Sequence, residues 1–170
     1  MTSLFILFSI TALPPSFEAP TVDYSAKAII QLDTNSMKGM LYFGQGPVRF
    51  DYRQNDQDFS LVYSPAKKSV WLRMPTQKMQ FKIPLSQSQL NTAFAPVGTW
   101  LEIKPIRKTT IHTVPAQQYQ VRFREKSGAI YGGTICVSSQ RIIVQIQLSL
   151  EPHHQKAKKI PKHFKLELSQ

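Results

Sequence analysis

Four histidines, one cysteine and ten acidic residues are where a search of this sequence for acid–base, thiol or metal chemistry begins. His153-His154 with His163 can be drawn as a metal cluster, but they lie in a Lys-rich segment where solvated side chains are expected. No cysteine or carboxylate stands at matching ligand spacing, so no metal ligand and no cofactor is assigned. Asp51, Asp56 and Asp58 sit in or beside a hairpin and read as solvated turn residues rather than a catalytic pair. There is no Gly-x-Ser-x-Gly elbow and no phosphate loop. Cys136 lies in the apolar stretch Thr134-Ile135-Cys136-Val137 and reads as a small buried hydrophobe, not as half of a Cys-His pair. The sequence reads as that of a binding protein, and no catalytic residue is named.

The chain that must position any site has 170 residues, 42% of them hydrophobic, which suits one packed domain. Its single cysteine excludes an internal disulfide framework. Leu4 to Ile10 is an apolar run too short to span a membrane and of the length found in secretory signals. The reading is a signal peptide over 1–19, with Ala19 as one candidate cleavage point and the exact site left open, ahead of one domain over 20–170 and export to the periplasm. Phe17, Pro20 and the lack of any base before Lys27 depart from the usual signal pattern. The formal charge of +11 gives a basic surface, with a C-terminal cluster at Lys156, Lys158, Lys159, Lys162 and Lys165. Such a surface attracts polyanions or acidic partners.

From Tyr24 onward, apolar residues recur at every second position, the period of half-buried strands. Six strand signals run to Ile83, separated by Thr34-Asn35-Ser36, Gly44-Gln45-Gly46-Pro47, Gln54-Asn55-Asp56, Ser64-Pro65-Ala66-Lys67 and Met74-Pro75-Thr76-Gln77. Such short turns imply sequential antiparallel hairpins. Leu85 to Phe94 is the one candidate helix. Strand signals return at Trp100–Lys104, Lys108–Val114, Gln118–Glu125, Ala129–Val137 and Arg141–Leu150, and the segment 160–166 reads as a short edge strand. Gly132-Gly133 inside a strand pattern marks a bulge or a sharp bend.

The expected fold is mainly β: a strongly curved antiparallel sheet, an open half-barrel of about ten short strands, with one short covering helix. One helix cannot blanket the large side chains on one face of that sheet. A hollow lined by Phe43, Phe50, Tyr52, Phe59, Leu61, Met79, Phe81 and Leu90 is therefore the expected ligand-binding site.

Tyr24-Ser25-Ala26, Gly39-Met40-Leu41-Tyr42 and Val48-Arg49-Phe50-Asp51-Tyr52 resemble the opening of a bacterial exported family of unknown function. That family is related to the outer-membrane lipoprotein carriers and their lipoprotein-binding relatives (LolA/LolB-like). The stretch from Ser64 through Val70-Trp71-Leu72 to Met79 is similar to the family's basic turn, strand, Pro turn and second strand. Thr113 to Val121 resembles its linker into a Tyr-x-Val strand, with Val114-Pro115 where the family has an aliphatic-Gly pair. The resemblance covers most of the chain after Thr21. It implies a half-barrel with a helical cover and a cavity that, in the carriers, holds acyl chains.

The expected function is thus non-enzymatic, periplasmic binding of lipid or lipoprotein acyl chains, with bases near the mouth meeting anionic lipid headgroups. The alternatives are an envelope protein-interaction or sensing module of the same fold, and a basic nucleic-acid-binding β domain. The last requires an uncleaved N-terminus and lacks any RNP-type signature, and the aromatic residues fall on a core alternation.

Overall fold

The computed structural model describes residues 20, 22–43, 47–64, 69–84, 98–125, 128–152 and 162–169. The expected helix over 85–94, Leu90, the signal segment 1–19 and the His153-His154 pair lie outside the described residues.

The period-2 segments form eleven antiparallel strands: β1 (Tyr24–Leu32), β2 (Asn35–Phe43), β3 (Val48–Gln54), β4 (Gln57–Ser64), β5 (Ser69–Met74), β6 (Met79–Pro84), β7 (Gly98–Ile111), β8 (Val114–Glu125), β9 (Ile130–Ser138), β10 (Ile143–Leu150) and β11 (His163–Ser169). They make one sheet in the order β6-β5-β4-β3-β2-β1-β11-β10-β9-β8-β7, with β6 and β7 as the two edges. Two meanders are therefore joined through β1 and β11. Laid flat, eleven strands would measure about 48 Å from edge to edge. The roughly fourteen Cα steps from Pro84 to Gly98 reach at most about 50 Å, so a flat sheet would need that connection almost fully extended, and any shorter path brings the two edges towards each other.

Two glycines, one in each meander, permit the tight crossing of neighbouring strands. A Cβ on Gly39 would lie 2.0 Å from the Asp51 carbonyl oxygen, and one on Gly133 would lie 2.0 Å from that of Gln147. Only a residue without a side chain allows such an approach. The tip of the β7–β8 hairpin folds over the outer face. There Ile111 and Val114 pack on Ala116, Cys136 and Val144, and His112 Nε2 pairs with Glu167 Oε1 on β11, three strands away from β8.

The alternation read from the sequence sorts residues onto the two faces. Strand pairing then aligns them into rows, such as Leu41–Phe50–Leu61–Leu72–Phe81 across β2 to β6. A second row, Leu166–Ile146–Ile135, crosses β11 to β9. Apart from Phe81, these residues belong to one core that draws on both meanders, with Phe50, Ile135, Ile146, Val70 and Val121 almost fully buried.

Three expectations are corrected. The last strand is not at an edge. β11 lies in the interior of the sheet, paired with β1 and β10, and Asp33 Oδ1 accepts the N–H groups of Lys162 and His163 at 2.9 and 2.8 Å where it begins. The signals at Trp100–Lys104 and Lys108–Val114 are not two strands. They fuse into β7, whose pairing shifts register between Trp100 and Glu102 and between Pro105 and Arg107. The turn after β7 is His112-Thr113, at φ 44° and 72°, and Val114 already opens β8. The first turn is Asp33-Thr34 rather than Thr34-Asn35-Ser36, because Asp33 takes the left-handed conformation at φ 48°. The Asn55-Asp56 turn falls where expected, with both residues at positive φ as a two-residue hairpin demands.

Candidate binding surfaces

The expected ligand-binding residues share the inner face of the first meander but occupy three environments. Phe50 and Leu61 are built into the core. Phe43 and Tyr52 are half-buried against it, and Phe59 is half-buried beside Tyr52. Their rings form stacks: Phe43 on Tyr24 at 5.4 Å, Tyr52 on Phe50 at 5.3 Å and Phe59 on Tyr52 at 5.2 Å between centroids. Burial pushes the phenol pKa values of Tyr24, Tyr52 and Tyr63 above the ordinary tyrosine value, so these groups stay neutral and serve the apolar face. Met79 and Phe81 are exposed, at 43% and 48%, although they point to the same side as Leu72 and Met74. The reason is position: β6 pairs on one side only.

The two edges differ. β7 carries two register shifts and Pro105, devices that twist an edge and remove a donor, so it is a poor template for another strand. β6 pairs in unbroken register with β5, and its Pro stands only at the last position. Lys82 is the one charged residue on it. Among the described residues, β6 therefore presents free backbone donors and acceptors beside two exposed apolar side chains.

The outer face is polar and basic. Arg49 bonds Asp51 at 3.1 Å and covers the Tyr42 ring at 4.1 Å from its centroid. On the second meander, Arg122 grips Glu151 through two parallel bonds of 2.7 and 2.9 Å. Glu167 is held by Lys165 at 2.6 Å and by His112, and these contacts keep its carboxyl below the ordinary carboxylate range against the opposing effect of burial. Cys136 is buried, as its apolar surroundings imply, and desolvation pushes its thiol pKa up despite nearby Arg107. His163 Nδ1 meets Ser149 Oγ at 3.1 Å. Among the described residues no group of three His, Cys, Asp or Glu side chains is placed to hold a metal ion. No helix among them is long and apolar enough to cross a membrane.

Alternation alone could assign residues to faces, which is why seven of the eight expected residues fall on one side. It could not rank them by distance from an edge, the property that leaves Phe81 open and Phe50 sealed.

No family model and no curated protein matches the sequence. Solved structures with a similar course of the chain include the complex of MucA and MucB from Pseudomonas aeruginosa (12% identity, TM-score 0.47), which this chain matches over 87% of its own length and 50% of the other. A crystal structure of MucB matches at 13% identity and TM-score 0.49, over 91% of this chain and 55% of that one. MucB in complex with MucA(peri) matches at 10% identity and TM-score 0.42, over 89% and 50%. The chain spans about half the length of the structures to which it is similar.

Proposed function

We propose that this chain is a periplasmic binding protein, acting without catalysis, that captures an extended segment of an envelope protein along β6. The observation that carries this reading is the pair Met79 and Phe81, exposed on an edge strand and continuous with the row that runs inward through Leu72 to Phe50. Added as a strand, the segment would bond to the free backbone of β6 and lay alternate side chains over these two residues. Each is about half exposed, so covering it contributes roughly 1 kcal/mol, half the value for full burial. A photoreactive phenylalanine analogue at position 81 tests this in host cells. The expected product is a covalent adduct with one protein, absent when the analogue replaces buried Phe50. Irradiation that yields no protein adduct refutes the reading.

Lipid binding is a second reading, favoured by the half-buried ring stacks of Phe43, Tyr52 and Phe59 on the same face. Acyl chains inserted from the β6 side would meet Phe81 first. The same irradiation would then give lipid adducts, and native mass spectrometry would find lipid on the purified chain. The two readings therefore differ in the mass of what Phe81 touches.

A further inference from the structure

A groove of about 620 Å³ is lined by residues of β2 to β5, chiefly polar ones of the outer face, together with Tyr52 and Phe59. Four cations line it, Lys38, Arg49, Arg53 and Arg73, against two carboxylates, Asp51 and Asp58. The carboxylates engage only part of this charge. Asp51 is committed to Arg49 and to the Ser60 hydroxyl, which donates to its Oδ1 at 2.6 Å. Arg53 stands 3.8 Å from Asp56 and 3.9 Å from Asp58, beyond hydrogen-bond distance. Lys38 and Arg73 form no ion pair among the described residues. The structure thus holds two uncommitted cations, both exposed, at opposite sides of one groove.

We propose that this groove binds an acidic protein segment in extended conformation, one carboxylate meeting Lys38 and another meeting Arg73. Strand geometry sets the spacing. β2 and β5 are three strand intervals apart, and Lys38 is two residues from the row Met40–Asp51–Ser60–Arg73. The two cations are then about 16 Å apart, a span of four to five extended residues. Asp51 and Asp58 select against a uniform polyanion, because a nucleic-acid backbone or a sheet of anionic headgroups would set negative charge against them. A peptide with separated carboxylates and neutral residues between them avoids that repulsion. The site is separate from β6 and stands whether or not the inner face takes a protein.

The test uses the full chain and a fluorescent peptide, Glu-Thr-Val-Thr-Glu, whose two carboxylates share one face when extended, followed by anisotropy at low and at physiological salt. The Lys-for-Glu counterpart, polyuridylate and vesicles of one-third phosphatidylglycerol in phosphatidylcholine serve as competitors. The acidic peptide should bind, weaken with salt and resist displacement by the basic counterpart. The double variant Lys38→Glu, Arg73→Glu should lose about tenfold in affinity, while Lys38→Arg, Arg73→Lys should bind as the parent does. Thermal unfolding confirms that both variants fold. Equal binding of the two peptides, or unchanged affinity in the charge-reversed variant, overturns the proposal. So does tighter, Lys38- and Arg73-dependent binding of polyuridylate or vesicles.

Discussion

Gly132 and Gly133 are neighbours in β9, yet a methyl group added to each should have opposite consequences. At Gly133 the new Cβ would lie 2.0 Å from the Gln147 carbonyl oxygen and 3.0 Å from the Leu148 Cα, both backbone atoms of β10. No side chain can swing aside, so β10 would have to retreat by more than 1 Å from a core that includes Ile146 and Leu148. Overpacking of this kind costs about 1–3 kcal/mol, and a clash with backbone belongs at the upper end. At Gly132 the nearest atom is Glu151 Oε1 at 3.5 Å, an ordinary contact. Alanine there removes the excess chain entropy of glycine and should stabilise by roughly 0.5 kcal/mol. Urea unfolding reads both effects. With a slope near 2 kcal/mol/M, Gly133→Ala should lower the midpoint by about 1.5 M, and Gly132→Ala should leave it unchanged or slightly raised. Midpoints of the two variants that agree within experimental scatter would refute the idea that only glycine permits the close approach of β9 and β10 at Gly133. Gly39→Ala should repeat the larger loss in the first meander, where the Asp51 carbonyl stands in the way.

Phe50→Ala should cost about 3–5 kcal/mol in equilibrium unfolding, whereas Phe81→Ala, on the same row but 48% exposed, should cost under about 1 kcal/mol and weaken capture at β6 by about fivefold. Glu167 is held ionised by Lys165 first and by His112 next, so its contribution is present above the usual carboxylate pKa of 4.5 and is lost as the pH falls through its lowered value. Glu167→Gln should therefore be less stable than the parent at neutral pH, with the gap closing under acid; a gap that stays constant in thermal melts from pH 7 to pH 3 would contradict this. The Ser69 hydroxyl is buried and finds no hydrogen-bond partner among the described residues, so Ser69→Ala should be neutral or stabilising by up to about 1 kcal/mol in the same urea assay.

Much of the sheet was legible because a strand's period of two is local. Val48-Arg49-Phe50-Asp51-Tyr52 declares its buried and exposed faces without reference to any partner, and Asn55-Asp56 declares a turn by residue type. The His112-Thr113 turn was hidden because β-branched threonine disfavours positive φ and the pair carries none of the Gly, Asn, Asp or Pro that announce a turn. The place of β11 was hidden for a different reason. Its pairing with β1 joins residues about as far apart as the chain allows, and Asp33 secures it through bonds that no local pattern announces. The outer groove shows the same divide. Bases on the outer face could be read from alternation at Arg49, Arg53 and Arg73, but the grouping of Lys38 with Arg73 depends on the register of four strands.

The most direct test of the proposed role is the reactivity of a cysteine placed at Met79, which leaves Phe81 in place. Cys136 is buried with a raised thiol pKa and contributes little background. Purified Met79→Cys protein should react with maleimide at close to the rate of an exposed thiol, and in intact host envelopes the same cysteine should react about tenfold more slowly because a partner covers β6. Equal rates in the two settings would contradict capture at this edge.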